Sequence, residues 1–578
     1  MNNSIFVHQQ PDPGMTSRSR IFFLFSILIL LSFASCNRPL VHDQNTLISS
    51  WDTAAWNAFH RQAVEESLLP IRPGVPGKTP FWNAHARRFI HAPSFDFPEI
   101  QNAAGYKIIA ISDTDRGYHT FESDHPWALL TPIWKDLPVG LVHLKVEALD
   151  QNGQVMGLAG ERIFYRAAPF KGPYREAVKD YAESVTWNLQ SLLEQEHYRQ
   201  WAQDSVPSKE YYLYCYPSKI VGSIVRAMCM YAGLSGEEKD LALSVAKNAA
   251  DYLIRISLPS GAALEFFPPT YLALEKGTQV ARERKDQLMM FYPAIVGDSY
   301  LDLYDLSADQ RYLEAALKIA NTYAKTQLQE GSWPLMVWME NGEAVEENLC
   351  VPTNIIQFLE RLGRQYGYQE FLGSGERAFS WIMNHPMKSF HWEGQFEDVG
   401  YSRQYSNLER GKPLAFATLL LERSGEHPEY LALAEELIRF AEDQFIVWER
   451  PLPREMFRTP EEPIPHNCYQ TSGWFTPCAL EQYGYYTPID ASAASAISAF
   501  QKAFEYTGKE LYLAKAVSLA DNMTVAQELA GGIYPTYQRD MESWTRSSVG
   551  IWQGWLNCAT ITSESMLNLH DLLQFINK

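Results

Sequence analysis

Apolar and polar positions follow helical spacing through most of the chain, from about residue 172 to the end. Apolar residues recur at i, i+3, i+4 and i+7, which predicts helices that each bury one face. The predicted helices form pairs joined by short turns: 218–231 with 237–255, 292–304 with 310–327, 351–366 with 370–383, 409–422 with 428–445, and 491–506 with 510–527. Helices 174–200 and 557–575 lack a neighbour in sequence, so pairing them would close a ring. We therefore predict a mainly α fold with an (α/α)6 toroid over residues 171–578.

Internal similarity supports this repeat. The second helices of two pairs begin with the related segments SADQRYLEAALKIA and TGKELYLAKAVSLA. Three second helices are followed by a glycine and an aromatic residue, in the segments GSWP (331–334), GQFE (394–397) and GIYP (532–535). We expect these aromatic residues to dock onto the ring, with core packing as their commonest role. The loops beside them are the place to look for chemistry, because function favours loops on rigid scaffolds.

Residues 80–170 show a different pattern. Short runs rich in β-branched and aromatic residues, at 106–111 (YKIIAI), 141–149 (LVHLKVEAL) and 162–165 (RIFY), are separated by turns rich in glycine and aspartate. Their order resembles a fibronectin type III-like sandwich, of the kind that precedes the toroid in some polysaccharide-degrading enzymes. The resemblance implies a small all-β sandwich domain ahead of the toroid. Residues 37–79 would then be a linker and N-terminal extension.

The N-terminus predicts export. Two arginines precede an apolar run of 11 residues at 21–31, shorter than the about 20 residues that a membrane-spanning helix needs. The segment FASC at 33–36 resembles the lipobox of bacterial lipoproteins, with Phe33 where Leu is usual. The resemblance implies that residues 1–36 carry a signal peptide and that lipidated Cys36 anchors the protein to a membrane; ordinary secretion is the alternative. Because no acidic run follows Cys36, we expect an outer-membrane anchor that faces the periplasm rather than the cell surface.

The composition of the chain limits the classes of ligand that we expect it to bind. The formal net charge of −19 at pH 7 argues against nucleic acid. Aromatic residues make up 13% of the chain, and their faces can stack on sugar rings as well as fill a core. Six cysteines besides Cys36 are scattered without CxxC spacing, so we predict buried thiols, no metal site and no cofactor. These cysteines are Cys215, Cys229, Cys350, Cys468, Cys478 and Cys558.

The six-hairpin pattern resembles the six-hairpin glycosidase superfamily, and the whole plan resembles the glycan-utilisation lipoproteins of Bacteroidetes-type bacteria. The resemblance implies a carbohydrate substrate bound in a funnel where the inner helices begin. Glycoside hydrolases, polysaccharide lyases and sugar epimerases all use such a funnel, so the fold does not choose between them. No motif in the chain is specific enough to transfer catalytic residues, and the candidates below rest on their own chemistry.

The segment 390–405 (FHWEGQFEDVGYSRQY) has the highest density of reactive side chains. Acid–base cleavage of a glycosidic bond needs a carboxylic acid to protonate the leaving oxygen and a carboxylate to activate water or attack carbon. Glu397 and Asp398 are candidates. Because neighbours in an extended segment point opposite ways, we expect at most one of them to face the funnel. A helix cap or an ion pair with Arg403 is the structural alternative.

Three further segments, 336–347, 465–474 and 533–544, add acidic, aromatic and basic candidates. The acids of the first segment have helix capping as their alternative role. Arg403 and Arg539 are each able to clamp a carboxylate with two hydrogen bonds, which suits a uronic acid, although a structural ion pair is the commoner role. The remaining catalytic candidates are Glu340, Glu343, Asp540 and His466. The candidate substrate contacts are Trp333, Trp392, His391, Tyr401, Arg403, Tyr405, Tyr469, Trp474, Tyr537 and Arg539.

The favoured hypothesis is a glucuronidase-like glycoside hydrolase that acts on a polysaccharide or oligosaccharide containing uronic acid. Glu397 or Asp398 would be one catalytic carboxyl, and Glu340, Glu343 or Asp540 the other. A polysaccharide lyase or glucuronyl C5-epimerase is the second hypothesis, with His466 and nearby tyrosines as the proton-transfer groups. A non-catalytic glycan-binding lipoprotein is the third.

Overall fold

The structure is a computed structural model. It describes residues 48, 50–72, 82, 85–234, 236, 238–398, 405–450, 474–483, 485–538 and 555–577. Residues 51–576 form one compact unit. Within the described ranges, every helix is too short or too polar to cross a membrane.

The region ahead of the toroid contains a helix, α1 (Thr53–Glu66), and a five-stranded sheet. The described strands lie in the order β1-β5-β4-β2-β3, antiparallel except for the β1–β5 pair. Alternate residues of β2 are buried, as expected for a strand with one face on a core. The strands are β1 (Arg88–Phe89), β2 (Gly105–Ser112), β3 (Tyr118–Ser123), β4 (Gly140–Leu149) and β5 (Val155–Arg166).

The three predicted β runs lie in β2, β4 and β5. Strand β3 was not predicted, because its sequence YHTFES is mostly polar and it lies at the sheet edge with no buried residue. The described strands of this region form a single sheet. The two-sheet sandwich therefore stays a prediction.

Six helix pairs make up the rest of the described chain. The outer helices are α2 (Tyr181–Leu193), α4 (Lys239–Ile256), α6 (Gln310–Thr326), α8 (Leu372–Asn384), α10 (Glu429–Phe445) and α12 (Glu510–Ala530). The inner helices are α3 (Pro217–Leu234), α5 (Tyr292–Ser307), α7 (Thr353–Gln365), α9 (Gly411–Arg423), α11 (Asp490–Thr507) and α13 (Leu556–Ile576). Short strands lie in the connections: β6 (Gln287–Met289) pairs with β7 (Met336–Trp338), and β9 (Cys478–Gln482) lies between β8 (Ile446–Val447) and β10 (Tyr485–Pro488).

The inner helices close a ring. Each contacts the next in the order α3, α5, α7, α9, α11, α13, and α13 contacts α3 again. The outer helix α2 packs on α13, so the first and last helices of the toroid form the sixth pair. This confirms the predicted (α/α)6 toroid. The five cysteines within the described ranges are buried free thiols, as predicted, whereas Cys36 and Cys468 lie outside those ranges.

Helix starts differ from the predicted ones where a polar cap decides the boundary. The predicted helix 174–200 begins at Tyr181, because the Asp180 side chain accepts the Ala182 N–H and caps the helix there. Similarly, α9 begins at Gly411, since the Glu409 carboxylate accepts the N–H groups of Gly411 and Lys412. The spacing of apolar residues does not predict such caps.

A buried arginine joins the sheet to the toroid. Arg88 in β1 donates to the carbonyl oxygens of Asp443 and Ile446, at 2.6 and 2.7 Å. The Asp443 carboxylate in turn accepts the backbone N–H groups of Ile90 and His91. These charge-assisted hydrogen bonds satisfy the polar groups that the junction buries.

A second buried cation ties three helices together. Lys515 in α12, whose side chain is only 2% exposed, contacts the carboxylates of Glu442 in α10 at 2.8 Å and Glu66 in α1 at 3.1 Å. Glu442 also accepts a hydrogen bond from Trp448. Breaking such a pair leaves a buried charge without its partner, which is strongly destabilising.

Replacing Lys515 with alanine is expected to lower the free energy of unfolding by about 3 kcal/mol, because Glu442 stays buried without its cation. Lys509→Ala at the start of the same helix is the matched control, since its pair with Glu435 is exposed and worth at most about 1 kcal/mol. Urea unfolding followed by tryptophan fluorescence measures both. Equal midpoints for the two variants would contradict the role given to Lys515.

Candidate active site

The segment that carries Glu397 is fixed by close backbone packing. Gly394 exchanges hydrogen bonds with Asn407, and a Cβ at position 394 would overlap the side-chain amide of Gln482. The Gln395 amide accepts the Val351 N–H and donates to the Leu349 carbonyl, at 2.9 and 2.8 Å. The segment therefore returns to the start of inner helix α7 and delivers the next residues to the funnel.

Both carboxylate oxygens of the buried Glu397 are occupied. Oε1 accepts a hydrogen bond from Lys219 Nζ, near the start of α3, and Oε2 accepts one from the Tyr292 hydroxyl, at the start of α5. The backbone carbonyl of Glu397 accepts from Tyr271 at 3.0 Å and Arg284 at 2.6 Å. Although burial favours the neutral amine, Glu397 raises the pKa of Lys219, so the amine stays charged. Glu397 thus holds two neighbouring inner helices together at the mouth of the funnel.

Asp398, by contrast, is exposed. Its Oδ1 accepts a hydrogen bond of 2.6 Å from the Tyr216 hydroxyl, which also lies 2.5 Å from the Thr278 hydroxyl. Solvent reaches Asp398, yet the protein around its carboxyl and the neighbouring Glu397 both raise its pKa, and the Tyr216 hydrogen bond opposes that rise. Oδ2 has no partner among the described residues and is available to a ligand.

A third carboxyl lies within electrostatic range of this pair. Glu481 in β9 is half-buried, and burial raises its pKa to about 7. The charges of Glu397 and Asp398 add to this rise, whereas Arg410 and Lys219 oppose it. At neutral pH a large share of Glu481 is therefore protonated, while carboxyls in ordinary surroundings are ionised.

Glu397 and Asp398 lie in a turn and not in the predicted extended segment, and Glu397 is buried whereas Asp398 is exposed. Glu340 and Glu343 lie instead in the exposed turn after β7, where Glu343 accepts a hydrogen bond from Asn341 at 2.9 Å. An exposed turn does not provide the burial that tunes a catalytic acid, and the catalytic roles of Glu340 and Glu343 stay predictions.

Four of the predicted aromatic contacts belong to the core. Trp333 and Trp392 are fully buried, and Trp333 donates its indole N–H to the Tyr323 carbonyl. Trp474 and Tyr537 are 7% and 4% exposed. Their low exposure favours core packing in the described conformation, and their role as substrate contacts stays a prediction.

His391 and Tyr405 lie together, with ring centroids 5.0 Å apart, and both are half-buried. Burial lowers the pKa of His391, and Tyr405 donates to the Ser389 carbonyl. Their role as substrate contacts stays a prediction. Seven other predicted residues lie outside the described ranges: Cys36, Tyr401, Arg403, His466, Tyr469, Arg539 and Asp540.

The sequence reasoning missed Lys219, Tyr216, Tyr292 and Glu481. Lys219 carried a usable signal: it is a single cation in the first turn of an apolar helix, where the helix dipole disfavours positive charge. Such a residue calls for an anionic partner. Trp555 was also missed; it is half-buried, its ring lies 5.6 Å from Lys219 Nζ, and it offers an aromatic face at the funnel.

Comparisons with known proteins give a fold likeness. No protein-family model matches the chain, and no curated protein matches it. Similar solved structures include a family 76 glycoside hydrolase from a bovine Bacteroides thetaiotaomicron strain (10% identity, 81% of this chain and 94% of that chain, TM-score 0.44). Others are a cellobiose 2-epimerase from Spirochaeta thermophila (12%, 69% and 98%, 0.45) and an unsaturated glucuronyl hydrolase from Streptococcus agalactiae (11%, 68% and 91%, 0.41). At these identities and TM-scores, activity has to be argued from the site.

Glu481→Gln is expected to stabilise the protein increasingly as pH rises. The pKa of Glu481 is raised to about 7 in the folded state, so folding favours its protonated form, and the parent loses stability as pH climbs from the unfolded pKa of about 4.3 towards 7. The variant escapes that loss. Melting temperatures at pH 5 and pH 7.5 test this, with Glu314→Gln on the exposed face of α6 as the control. A constant difference across this range would contradict the burial assigned to Glu481.

Proposed function

We propose that the chain is a glycoside hydrolase that acts on acidic glycans, with Glu481 as general acid and Asp398 as base or nucleophile. The observation that carries the proposal is a pair of carboxyls in one funnel with different surroundings. Burial raises the pKa of Glu481 to about 7, whereas Asp398 is exposed and accepts a hydrogen bond from Tyr216 that opposes the rise in its pKa caused by burial and Glu397. Two carboxyl groups in opposite protonation states are what hydrolysis of a glycosidic bond requires.

In this proposal Glu397 is a positioning residue. Its carboxylate is buried and saturated by Lys219 and Tyr292, so neither oxygen is open to a sugar. The hydrogen bonds to its backbone carbonyl fix the direction of the chain into Asp398. Its negative charge also raises the pKa values of Asp398 and Glu481. Glu397 therefore helps to keep Glu481 in its acid form.

The tyrosines of the funnel favour hydrolysis over elimination or epimerisation. A lyase or epimerase of the predicted kind would use a tyrosinate or histidine as base. Burial and the neighbouring carboxylates raise the pKa of Tyr216 and of Tyr292, which disfavours the tyrosinate form. Both hydroxyls already donate to a carboxylate. They suit hydrogen-bond donation to the site better than proton abstraction from a substrate.

An acidic substrate is supported by the cations around these carboxyls. Lys219 and Arg284 both act electrostatically on Asp398, and Arg410 and Lys219 act on Glu481. Lys219 pairs with Glu397 and Arg410 pairs with Glu409, so these cations act as hydrogen-bond donors beside the carboxyls rather than as a surplus of positive charge. Such donors suit the carboxylate of a uronic acid.

Asp398→Asn and Glu481→Gln are each expected to lower kcat by about 10²–10⁴-fold, because each removes one proton-transfer group. Glu314→Gln, remote from the funnel, is the control and should keep parental activity. Incubation with a panel of acidic and neutral polysaccharides, read by product chromatography and ultraviolet absorbance, measures turnover. A product with a 4,5-double bond would overturn the hydrolase in favour of a lyase. Glycan binding without turnover in the parent would favour a binding protein.

We also propose that the protein is an exported lipoprotein anchored through Cys36, on the outer membrane and facing the periplasm. The support is the apolar run at 21–31 followed by the lipobox-like segment FASC. Cys36→Ala is expected to move the protein from the membrane fraction to the soluble periplasmic fraction, because the acylated side chain is lost. Fractionation and immunoblotting measure this. Unchanged membrane association of the variant would contradict lipid anchoring at Cys36.

A further inference from the structure

One buried lysine beside the funnel lacks an anionic partner. Lys412, the second residue of α9, is 9% exposed. Its Nζ donates to Asn354 Oδ1 at 3.1 Å and lies 4.4 Å from the centroid of the Phe291 ring. Among the described residues, Nζ meets no carboxylate oxygen. Burial lowers the pKa of this amine, as expected for a cation withdrawn from water with incomplete compensation.

The other withdrawn lysines of this fold are compensated. Lys515 contacts two carboxylates, and Lys219 contacts one. Lysine is rarely buried without such pairing. Glu409 acts electrostatically on Lys412, but its carboxylate accepts the N–H groups of Gly411 and Lys412 and pairs with Arg410. Lys412 Nζ therefore keeps unused donor capacity.

The groups around Lys412 that remain available are donors. Because Asn354 Oδ1 accepts from the ammonium, the amide Nδ2 of Asn354 points elsewhere and has no partner among the described residues. Asn354 and Lys412 lie in the first turns of α7 and α9, where backbone dipoles add positive potential. A ligand that satisfies this set must be an acceptor, and the ammonium selects an anion.

This donor set adjoins the proposed catalytic residues. Phe291, over which Lys412 lies, packs against Tyr292 with ring centroids 4.3 Å apart. Tyr292 in turn donates to Glu397, the neighbour of Asp398. Lys412 is thus linked to Glu397 through Phe291 and Tyr292. It lies at the same end of the toroid as the proposed catalytic carboxyls.

We propose that Lys412 and Asn354 form a subsite for an anionic substituent of the bound glycan, either the carboxylate of a uronic acid or a sulfate ester. The inference rests on the proposed function, in that it takes the funnel to bind glycans. It adds the residues that select the acidic sugar. The alternative is a structural role, in which the Lys412–Asn354 hydrogen bond only links the starts of α7 and α9.

Two variants separate these roles. Lys412→Met removes the charge and keeps the length of the side chain. Asn354→Asp places a carboxylate on Lys412 Nζ, which should raise thermal stability while occupying the ammonium internally. A structural role predicts that neither variant changes ligand preference, whereas the subsite predicts that both abolish it.

Binding of D-glucuronate, N-acetylglucosamine 6-sulfate and D-glucose, measured by calorimetry, tests the proposal. The parent should bind one acidic sugar at least about tenfold more tightly than glucose, as expected for a charge-assisted hydrogen bond. Which of the two acidic sugars binds more tightly shows whether the subsite prefers a carboxylate or a sulfate. Lys412→Met and Asn354→Asp should lose this preference, and Lys412→Arg should retain part of it. A parent without acidic preference, or a folded Asn354→Asp variant that keeps it, would overturn the subsite.

Asp398→Asn separates failure of the subsite from failure of the proposed function. This variant should lose turnover but keep the preference for the acidic sugar. If the parent shows that preference without any turnover, the hydrolase is wrong and the subsite stands. If the parent turns over neutral and acidic glycans equally, and Lys412→Met does the same, the subsite is wrong and the hydrolase stands.

Discussion

The contact of Glu397 with Lys219 and Tyr292 sets the geometry on which the candidate site depends. It joins a connecting segment to the starts of two inner helices, so three stretches of chain far apart in sequence meet at one carboxylate. A buried ion pair of this kind contributes little net stability, because desolvation of both charges offsets their attraction. Its effect is to fix where neighbouring groups lie. Asp398 follows Glu397 directly, and its exposure in the funnel is a consequence of that anchoring.

Ring closure gives this contact its position. Six inner helices that pack side by side bring their N-terminal ends to one end of the toroid. Those ends carry positive potential, which favours acidic side chains and anionic ligands. The carboxyls of the funnel therefore lie in a field that stabilises their ionised forms, while burial acts in the opposite direction. The pKa values of Asp398 and Glu481 are both raised. The two carboxyls differ in their exposure and in the charges that lie near them.

The sequence was sufficient for the architecture because apolar periodicity reports which face of each helix is buried, and the two unpaired end helices required a closed ring. It was sufficient to select Glu397 and Asp398 as candidates, because the packing of an apolar core does not require two adjacent acids beside an aromatic residue. It could not identify Glu481, whose surroundings depend on contacts between β9 and segments more than 60 residues away. It could not show that Trp333 and Trp392 are fully buried, since composition does not distinguish an aromatic that stacks on sugar from one that fills the core.

Three of the lysines withdrawn from solvent show how compensation relates to role. Lys515 has two carboxylates and lies where the sheet region, α10 and α12 meet, so its charge is fully used in holding the fold. Lys219 has one carboxylate and an aromatic ring nearby, and it holds the segment that carries Glu397. Among the described residues, Lys412 has an amide and an aromatic face as its partners. The protein pairs the ammonium groups of Lys515 and Lys219 with carboxylates, so the same kind of pairing is possible for a third lysine. Because the described residues supply no anion to Lys412, we attribute the missing partner to the anionic group of the proposed ligand.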